Sequence, residues 1–296
     1  MRILMNDHLS LTIRTIQTDL LKAGYLCDDQ LAGSIHLAMQ LERPLLLEGD
    51  AGVGKTAVAK AMSDIANRTF VRLQCFEGLD HHDAVYEWNY GRQLTEIRLA
   101  ESLSKTVDST TIYSQEFLIQ KPVLRALTED RGAVLLIDEI DRSDEAFEAY
   151  LLEALSDFQI SIPEMGPIQS TVVPIVILTS NGTRDLSDAL RRRCLYHYLE
   201  YPDVARETEI LRLKVPEADV RLIEQAAQFV NMLRKEDLEK KPGIAESIDW
   251  LKALTLYGLQ SLPENPASLK SSLTCLLKTA RDREEVTDDT LQRLFG

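Results

Sequence analysis

Short apolar runs and helical patterns alternate through the first two-thirds of the chain. Apolar residues recur at helical spacing over residues 28–43, and Pro44 ends this helix. A second helical pattern covers residues 56–67. Five runs predict strands, and they lie at residues 45–47, 69–75, 133–137, 174–180 and 194–199. The first, which is apolar throughout, is typical of a buried parallel strand. Strands that alternate with helices predict an α/β fold in which a mainly parallel sheet is covered on both faces.

Two segments depart from this simple alternation. Residues 78–130 are longer than one crossover helix, and we expect them to hold a helix with an insertion. Residues 158–173 alternate apolar and polar side chains around two prolines and a glycine, which predicts a β-hairpin before the fourth strand.

The pattern changes after Pro202, where strand-like runs stop and helical periodicity takes over. The predicted helices lie at residues 203–213, 217–236, 245–258, 267–279 and 287–295, with turns at 242–243 and 263–266. We therefore expect a first domain over residues 1–201 and a small all-helical domain over residues 202–296.

A glycine-rich turn joins the first predicted strand to the helix after it. It fits the pattern G-x-x-x-x-G-K-[ST] and consists of Gly49, Asp50, Ala51, Gly52, Val53, Gly54, Lys55 and Thr56. Glycines let backbone N–H groups turn inward around phosphates, and the helix amino terminus adds partial positive charge. We expect these residues and Ala57 to bind a nucleoside triphosphate. The Lys55 amine is predicted to reach the β- and γ-phosphates, and the Thr56 hydroxyl to bind Mg²⁺.

An acidic pair follows the apolar strand at residues 133–137. Since the carboxyl ends of parallel strands meet at one edge of a sheet, Asp138 and Glu139 are predicted to lie beside the glycine-rich turn. Asp138 is the predicted carboxylate on the Mg²⁺ side, and Glu139 is placed to polarise the attacking water. The two motifs together predict hydrolysis of the bound nucleotide.

Polar residues after the fourth predicted strand complete the candidate site. The Asn181 amide is predicted to hold the lytic water or to touch the γ-phosphate, and an ordinary turn residue is the alternative. Residues 191–193 are three arginines at the end of a helix, where they also complement the helix dipole. In a ring-forming ATPase such an arginine can enter the neighbouring subunit's site, and we favour Arg193, with Arg192 second.

Composition limits the partners and the compartment. The chain of 296 residues has 33 Lys and Arg against 47 Asp and Glu, and its net charge of −14 argues against broad binding to nucleic acids. The four cysteines have no spacing typical of zinc or of a disulfide framework, which fits a reducing cytoplasm. Polar residues interrupt the amino-terminal region before any signal-peptide core, and we expect no transmembrane segment.

Two further patches each have two interpretations. Residues 80–83, two histidines flanked by aspartates, form either a metal site or, as we favour, a solvated helix cap. Tyr86, Trp88 and Tyr90 form either an exposed protein-binding patch or part of the packing of the insertion.

Several stretches of the chain resemble one family. The sequences GDAGVGKT and LLIDEIDR, Asn181, the arginines at 191–193 and the trailing helices are similar to those of AAA+ ATPases of the MoxR group. The segments YEWNYGRQL, FLIQKPVLRAL, LRRRCLYHYLEYP and KPGIAESIDWLKAL resemble the CoxD-type branch of that group. The resemblance covers nearly the whole chain, and residues 78–130 and 158–173 resemble the group's helix-2 insertion and pre-sensor hairpin.

This resemblance implies a fold, an activity and partners. It implies a P-loop AAA+ three-layer αβα domain followed by a helical lid, ATP and Mg²⁺ as cofactors, and a homo-oligomeric ring that is often a hexamer. CoxD-type proteins act in assembling the copper–molybdenum centre of carbon monoxide dehydrogenase and related enzymes, usually beside a von Willebrand A-domain partner. We therefore expect an ATP-driven chaperone that remodels a client metalloenzyme and binds no nucleic acid.

One position departs from the pattern of the family. MoxR proteins commonly carry a lid arginine in a Gly-Ala-Ser-Pro-Arg setting, whereas residues 243–247 of this chain read GIAES. Because Ser247 cannot replace a guanidinium, we assign no arginine of this kind and expect slow turnover.

Three other functions stay open. A nucleic-acid motor is disfavoured by the acidic charge and by a predicted hairpin, FQISIPEMGPIQS, without Lys or Arg. A small-molecule kinase would need an acceptor site beside the γ-phosphate, and phosphate release from ATP without an acceptor separates a kinase from an ATPase. A nucleotide-dependent scaffold with little hydrolysis fits the missing lid arginine, although Lys55 and Glu139 are both present.

Overall fold

Helices and strands follow one another along the described chain, which in the computed structural model comprises residues 2–103, 112–263 and 266–295. The strands are β1 Leu45–Glu48, β2 Thr69–Gln74, β3 Tyr86–Trp88, β4 Leu118–Gln120, β5 Ala133–Asp138, β6 Gln159–Ile162, β7 Gly166–Gln169, β8 Ile175–Ser180 and β9 Leu195–Tyr198. The α-helices are α1 Arg2–Lys22, α2 Asp29–Gln40, α3 Lys55–Ala66, α4 His81–Ala84, α5 Tyr90–Ser102, α6 Pro122–Thr128, α7 Glu145–Ser156, α8 Asp188–Arg193, α9 Val204–Lys214, α10 Val220–Leu233, α11 Ile244–Leu256, α12 Ala280–Glu285 and α13 Asp288–Phe295. The insertion predicted at 78–130 and the turn predicted at 263–266 each lie partly outside the described residues.

The chain divides into two units. The first comprises Met1–Glu48 and Thr56–Tyr198, and the second comprises Gly49–Lys55 and Leu199–Gly296. In this division residues 49–55 of the glycine-rich turn are grouped with the C-terminal helices, and Thr56 with the first unit. The domain boundary that we predict between residues 201 and 202 stays a prediction.

Five strands of the first unit form a parallel sheet in the order β2-β5-β8-β1-β9. Its inner strands are apolar because both faces of such a sheet are covered, and all six residues of β5 are buried. Leu46 of β1 lies opposite Leu178 of β8 on one side and Tyr196 of β9 on the other. The predicted parallel α/β fold is therefore confirmed, and the carboxyl ends of β1, β5 and β8 meet at one edge of the sheet.

Helices complete the core of the first unit. Side chains of β2, β5, β8, α6 and α7 pack in one apolar cluster that includes Val71, Leu124, Leu135, Leu151 and Leu178. Helix α1 packs against α2, and the apolar pattern does not predict α1 because polar residues interrupt its periodicity. Among the described residues, no helix has both the length and the apolar character needed to cross a bilayer.

The insertion after β2 contains more structure than the helix we predict there. Strands β3 and β4 pair antiparallel, with Glu87 opposite Ile119, and α4, α5 and α6 belong to the same segment. The pattern does not predict these strands because three residues are too few to show alternation. Tyr86 and Trp88 are buried in the core and Tyr90 is exposed, so the packing interpretation is confirmed for the first two.

Asp80 caps helix α4, and residues 81–83 form the start of that helix. The Asp80 carboxylate accepts hydrogen bonds from the backbone N–H groups of His82 at 2.8 Å and Asp83 at 3.1 Å, at the start of α4. These bonds hold the pKa of Asp80 below its usual value. The solvated-cap interpretation is confirmed, and within the described ranges no group of three or more His, Cys, Asp or Glu side chains has the arrangement of a metal site.

Strands β6 and β7 form a two-stranded antiparallel hairpin. Ile160 lies opposite Ile168, and the Met165 N–H donates to the Ile162 carbonyl at 3.0 Å in the connecting turn. Ile160 and Ile162 are buried in the core, whereas Ser161 between them is exposed. This alternation explains the hairpin, and the prediction at residues 158–173 is confirmed.

The C-terminal helices pack around an apolar core of their own. Helix α10 contributes Leu222, Phe229 and Leu233, and the Phe229 ring lies 4.9 Å from the ring of Trp250 on α11. Because α10 buries one face and exposes the other, its periodicity is easily detected in the sequence. The helices predicted at 203–213, 217–236, 245–258 and 287–295 correspond to α9, α10, α11 and α13.

The prediction of an α-helix at residues 267–279 is wrong. Two short 3₁₀ helices, Pro266–Leu269 and Ser272–Cys275, stand in its place. The Ser272 hydroxyl donates to the Leu269 carbonyl at 2.7 Å and accepts a hydrogen bond from the Trp250 indole at 2.9 Å. Serine side chains that bond to nearby backbone compete with the α-helical pattern, and here they favour the tighter turns.

Candidate nucleotide site

The glycine-rich turn, residues 49–55, runs from the end of β1 into α3. Gly52 and Gly54 have φ angles of +84° and +98°, in a region that residues with a Cβ rarely adopt. The Lys55 amine donates to the carbonyls of Gly49 at 2.7 Å and Asp50 at 2.9 Å. The lysine side chain is therefore folded over the loop and is only 7% exposed.

Asp138 ends β5 as a buried carboxylate that is 3% exposed. One oxygen accepts the Thr179 hydroxyl at 2.5 Å, and the other accepts Arg72 Nη2 at 2.6 Å. The Thr56 hydroxyl lies 3.2 Å from the first oxygen and 3.3 Å from the second. Hydroxyl and carboxylate oxygens are the donors that Mg²⁺ prefers, so Thr56 and Asp138 fit this cation.

Glu139 follows Asp138 in a left-handed backbone conformation, with φ of 56° and ψ of 51°. Its N–H donates to the Thr179 hydroxyl at 2.9 Å, which fixes the turn at the strand end. Its carboxylate accepts the Gln74 side-chain amide at 2.9 Å and the Arg142 guanidinium at 3.0 Å. The carboxylate of the predicted water-activating residue is thus held by two donors.

Arg72 and Gln74, which both lie on β2, belong to no motif in the sequence. They alternate with the buried Val71 and Leu73, so both side chains are on the same face of the strand. In the sheet Gln74 lies opposite Asp138. Period-two alternation in the sequence is a signal for these residues, but their proximity to the acidic pair follows only from the order of the strands.

Asp141 ties the loop after β8 to the end of β5. This buried carboxylate accepts the backbone N–H of Asn181 at 3.2 Å, the N–H of Thr183 at 3.0 Å and the Thr183 hydroxyl at 2.6 Å. The loop that carries Asn181 is therefore anchored by Asp141, a residue that no sequence motif predicts for the site. The role of the Asn181 side chain stays a prediction.

The three arginines end helix α8 and differ in their contacts. Arg191 lies 3.8 Å from the Glu48 carboxylate and 3.6 Å from that of Asp185. Arg193 donates to the Ser156 hydroxyl on α7. Arg192 is exposed, and its side chain has no hydrogen bond or ion pair with any described residue.

Arg43 stabilises the carboxyl end of α8. Its guanidinium donates to the carbonyls of Arg192 at 2.6 Å, Arg193 at 3.1 Å and Cys194 at 3.2 Å. These are the carbonyl groups that a helix end leaves without intrahelical partners. Arg43, which no sequence motif predicts for the site, therefore fixes the backbone from which the candidate arginines project.

The thiols of Cys75, which follows β2, and Cys194, which follows α8, are both buried. Burial, together with the charge of Asp138, raises the pKa of Cys75 to about 12, and burial raises the pKa of Cys194 to about 12. Both side chains are protonated thiols at neutral pH and neither has the reactivity of a nucleophile.

The parallel sheet, the glycine-rich loop after β1 and the acidic end of β5 define a P-loop protein of the α/β class. Residues 44–194 match the family described as the AAA domain, dynein-related subfamily, and this match covers just over half of the chain. The chain belongs to that family. The AAA+ assignment is thus confirmed, whereas membership of the CoxD-type branch stays a prediction.

Proteins similar to this chain come from several organisms. An uncharacterised protein of Staphylococcus saprophyticus is 24% identical over 270 residues, which are 88% of this chain and 94% of the relative. The gas vesicle ATPase GvpN of Haloferax mediterranei is 27% identical over 227 residues, which are 73% of this chain and 63% of the relative. The structure of Thermotoga maritima RuvB, a Holliday junction branch migration motor, matches with a TM-score of 0.47 and 19% identity, over 87% of this chain and 68% of that chain.

Proposed function

We propose that this chain binds ATP with Mg²⁺, hydrolyses it, and uses the cycle as a MoxR-type AAA+ chaperone that remodels or matures a client metalloenzyme. The residues assigned to the nucleotide are the loop from Gly49 to Thr56 and Ala57. Lys55 binds the β- and γ-phosphates through its amine, and Mg²⁺ supplies neutralisation of phosphate charge when bound.

The contact between Thr56 and Asp138 is the observation that carries this proposal. The two residues are 82 positions apart in the sequence, yet the hydroxyl and the carboxylate lie 3.2 Å apart. A hydroxyl at the start of α3 and a buried carboxylate at a strand end are the two oxygen donors that a P-loop protein offers to Mg²⁺. A glycine-rich turn without a role in nucleotide binding would not require Thr56 and Asp138 to lie together.

Glu139 is proposed to take a proton from the attacking water, and Asn181 to orient that water. Asp138 is less suited to proton abstraction because Thr56, Thr179 and Arg72 already engage its oxygens. An arginine of α8, Arg193 or Arg192, is proposed to act on the site of a neighbouring subunit in a ring. Such an arginine stabilises charge in the transition state for phosphoryl transfer.

Phosphate release from ATP by the purified protein tests the catalytic part. Wild type is compared with Lys55→Ala, Glu139→Gln and Glu217→Gln, the last a control on the exposed surface. We expect Lys55→Ala to lose ATP binding and Glu139→Gln to bind ATP but release little phosphate. The ATPase proposal fails if wild type releases no phosphate, or if Glu139→Gln keeps the wild-type rate. Strict dependence on an added acceptor would instead indicate a kinase.

The resemblance to CoxD-type proteins supports the proposal of a ring and of a metalloenzyme client. A hexameric ring and a von Willebrand A-domain partner are the proposed assembly, and an enzyme with a carbon monoxide dehydrogenase-type metal centre is the proposed client. Sedimentation with and without ATP tests the ring, since a protein that stays monomeric with bound ATP contradicts it. The β6–β7 hairpin region has no Lys or Arg and the chain carries a net charge of −14, so we do not favour nucleic acid as the client.

A further inference from the structure

The first residue of helix α11 is hydrogen-bonded to the backbone of the glycine-rich loop. The Ile244 N–H, in the first turn of α11, donates to the Gly52 carbonyl at 2.9 Å. A Cβ on Gly243 would lie 2.6 Å from the Gly52 Cα and 2.9 Å from its carbonyl oxygen, which is closer than real Cβ atoms approach. Glycine at position 243 is therefore required for this approach of two backbones. All of these atoms belong to the second unit.

A second donor binds the adjacent loop carbonyl. The Tyr201 hydroxyl donates to the Ala51 carbonyl at 3.1 Å. The Tyr201 ring lies under the guanidinium of Arg234, which is 4.8 Å from the ring centroid and 6% exposed. A buried guanidinium over an aromatic face is an attractive contact, so Arg234 fixes the position of the tyrosine.

Arg234 also fixes the start of α11. Its guanidinium pairs with the buried carboxylate of Glu207 at 2.5 and 2.8 Å and donates to the Pro242 carbonyl at 2.7 Å. Ser247, at the position of the family's lid arginine, donates to the same carboxylate at 2.7 Å. Arg234 and Ser247 are thus both committed to Glu207 and to the backbone around α11.

The geometry of a trans peptide links these contacts to phosphate binding. In each peptide the C=O and the following N–H point in opposite directions. A donor that holds the Ala51 carbonyl therefore sets the direction of the Gly52 N–H, and a donor that holds the Gly52 carbonyl sets that of the Val53 N–H. Backbone N–H groups of this loop are the groups that cradle phosphates in a P-loop.

We propose that Tyr201 and Gly243 are positioning residues of the nucleotide site, because they orient the loop N–H groups of Gly52 and Val53. This inference rests on the proposed function, since the loop must bind a nucleotide. The contacts involve only the loop backbone, so they support the phosphates that ADP and ATP share. An arginine directed at the γ-phosphate would instead distinguish ATP from ADP.

Calorimetric titration with ADP and with ATP in the presence of Mg²⁺ tests the proposal. Glu139→Gln is the parent, because it prevents hydrolysis during the titration. We expect the added change Tyr201→Phe to weaken both nucleotides by about 3- to 10-fold and to equal extents, which is the effect of one lost hydrogen bond. Tyr257→Phe, an exposed tyrosine at the end of α11, is the matched control and leaves both affinities unchanged.

Two further measurements separate positioning from general stability. Gly243→Ala should weaken both nucleotides more than Tyr201→Phe, and hydrogen exchange should show faster exchange at the Ile244 amide. Unchanged affinities in Tyr201→Phe, or a loss confined to ATP, would overturn the inference while leaving the proposed function intact. A parent that binds neither nucleotide would overturn the proposed function and the inference together.

Discussion

The side-chain amide of Gln74 donates to the carboxylate of Glu139 over 2.9 Å, from the strand next to β5. A hydrogen bond to a charged oxygen stabilises the ionised form and occupies a lone pair. Gln74 therefore occupies a lone pair of the Glu139 carboxylate that could otherwise accept a proton from water.

We expect Gln74→Ala to raise the basal rate of ATP hydrolysis by about 2- to 10-fold, because the loss of one charge-assisted hydrogen bond frees a lone pair of Glu139 to accept the proton of the attacking water. The measurement is phosphate release at saturating ATP. Gln169→Ala, on the exposed face of β7, is the control and should keep the wild-type rate. A rate that falls in Gln74→Ala would show that the amide holds Glu139 in its productive position.

The buried pair of Glu207 and Arg234 gives a prediction about stability. Arg234→Met leaves a fully buried carboxylate without its charged partner, and we expect the free energy of unfolding to fall by about 3–5 kcal/mol. Urea unfolding followed by circular dichroism measures this change.

The exposed pair of Arg212 and Glu224 provides the control for this experiment. Its charges lie 3.9 Å apart and both side chains are about half exposed, so Arg212→Met should cost no more than about 1 kcal/mol. Equal losses in the two variants would contradict the assignment of Glu207 and Arg234 as a buried pair that stabilises the helical unit.

The two thiols with raised pKa values give a prediction about reactivity and pH. With a pKa of about 12, Cys75 and Cys194 have roughly one thiolate in 10⁴ at pH 8, so we expect iodoacetamide to leave both unmodified in the folded protein. Peptide mass spectrometry locates the labelled residues, and protein unfolded in urea is the control in which both react.

The same shift determines the sign of a pH effect on stability. Between about pH 9 and 12 the unfolded thiols lose protons that the folded thiols keep, so the unfolded state binds fewer protons and stability falls as pH rises. Replacing Cys75 with Ala should make the decline less steep in urea unfolding at pH 8 and pH 10. An unchanged slope would contradict the raised pKa.

The contacts of the arginines on α8 separate the two candidates for action on a neighbouring subunit. Both arginines are exposed, but Arg193 donates to Ser156, whereas the Arg192 side chain has no hydrogen bond or ion pair with a described residue. We expect Arg192→Ala to lower the ATPase rate of the assembled ring by about 10³-fold, and Arg193→Ala to lower it less. The rates are compared at a protein concentration at which sedimentation shows assembly.

Arg221→Ala, at an exposed position of α10, is the control for this comparison and should match wild type. A greater loss in Arg193→Ala would assign the role to that residue instead. If neither variant affects the rate of an assembled ring, no arginine of the pair acts in trans.

The apolar pattern predicts the parts of this fold that have strong periodicity. The run at residues 133–137 is apolar throughout because β5 is buried on both faces, and α10 buries one clear face. Strands β3 and β4 have only three residues each, which is too short for any period to be detected. The prediction of a helix at 267–279 is wrong because the Ser272 side chain bonds to the local backbone at Leu269.

Some residues of the candidate site follow from local sequence motifs, and others depend on which strands and helices are neighbours in the fold. A local motif predicts the glycine-rich loop, and the acidic pair follows from its place at a strand end. Arg72 and Gln74 contact that pair only because β2 is adjacent to β5, and Arg43 reaches α8 from 149 residues away. Such contacts cannot be predicted from the spacing of residues in the sequence, because a local pattern does not determine which strands and helices become neighbours.

Glu139 occupies a left-handed backbone conformation that costs a residue with a Cβ roughly 1–2 kcal/mol, whereas glycine adopts it readily. At position 139 the backbone conformation favours glycine, whereas the proposed proton transfer requires glutamate. A library of random variants screened only for thermal resistance or yield would therefore enrich Glu139→Gly and lose hydrolysis. Any directed evolution of this protein must include turnover in the selection from the first round.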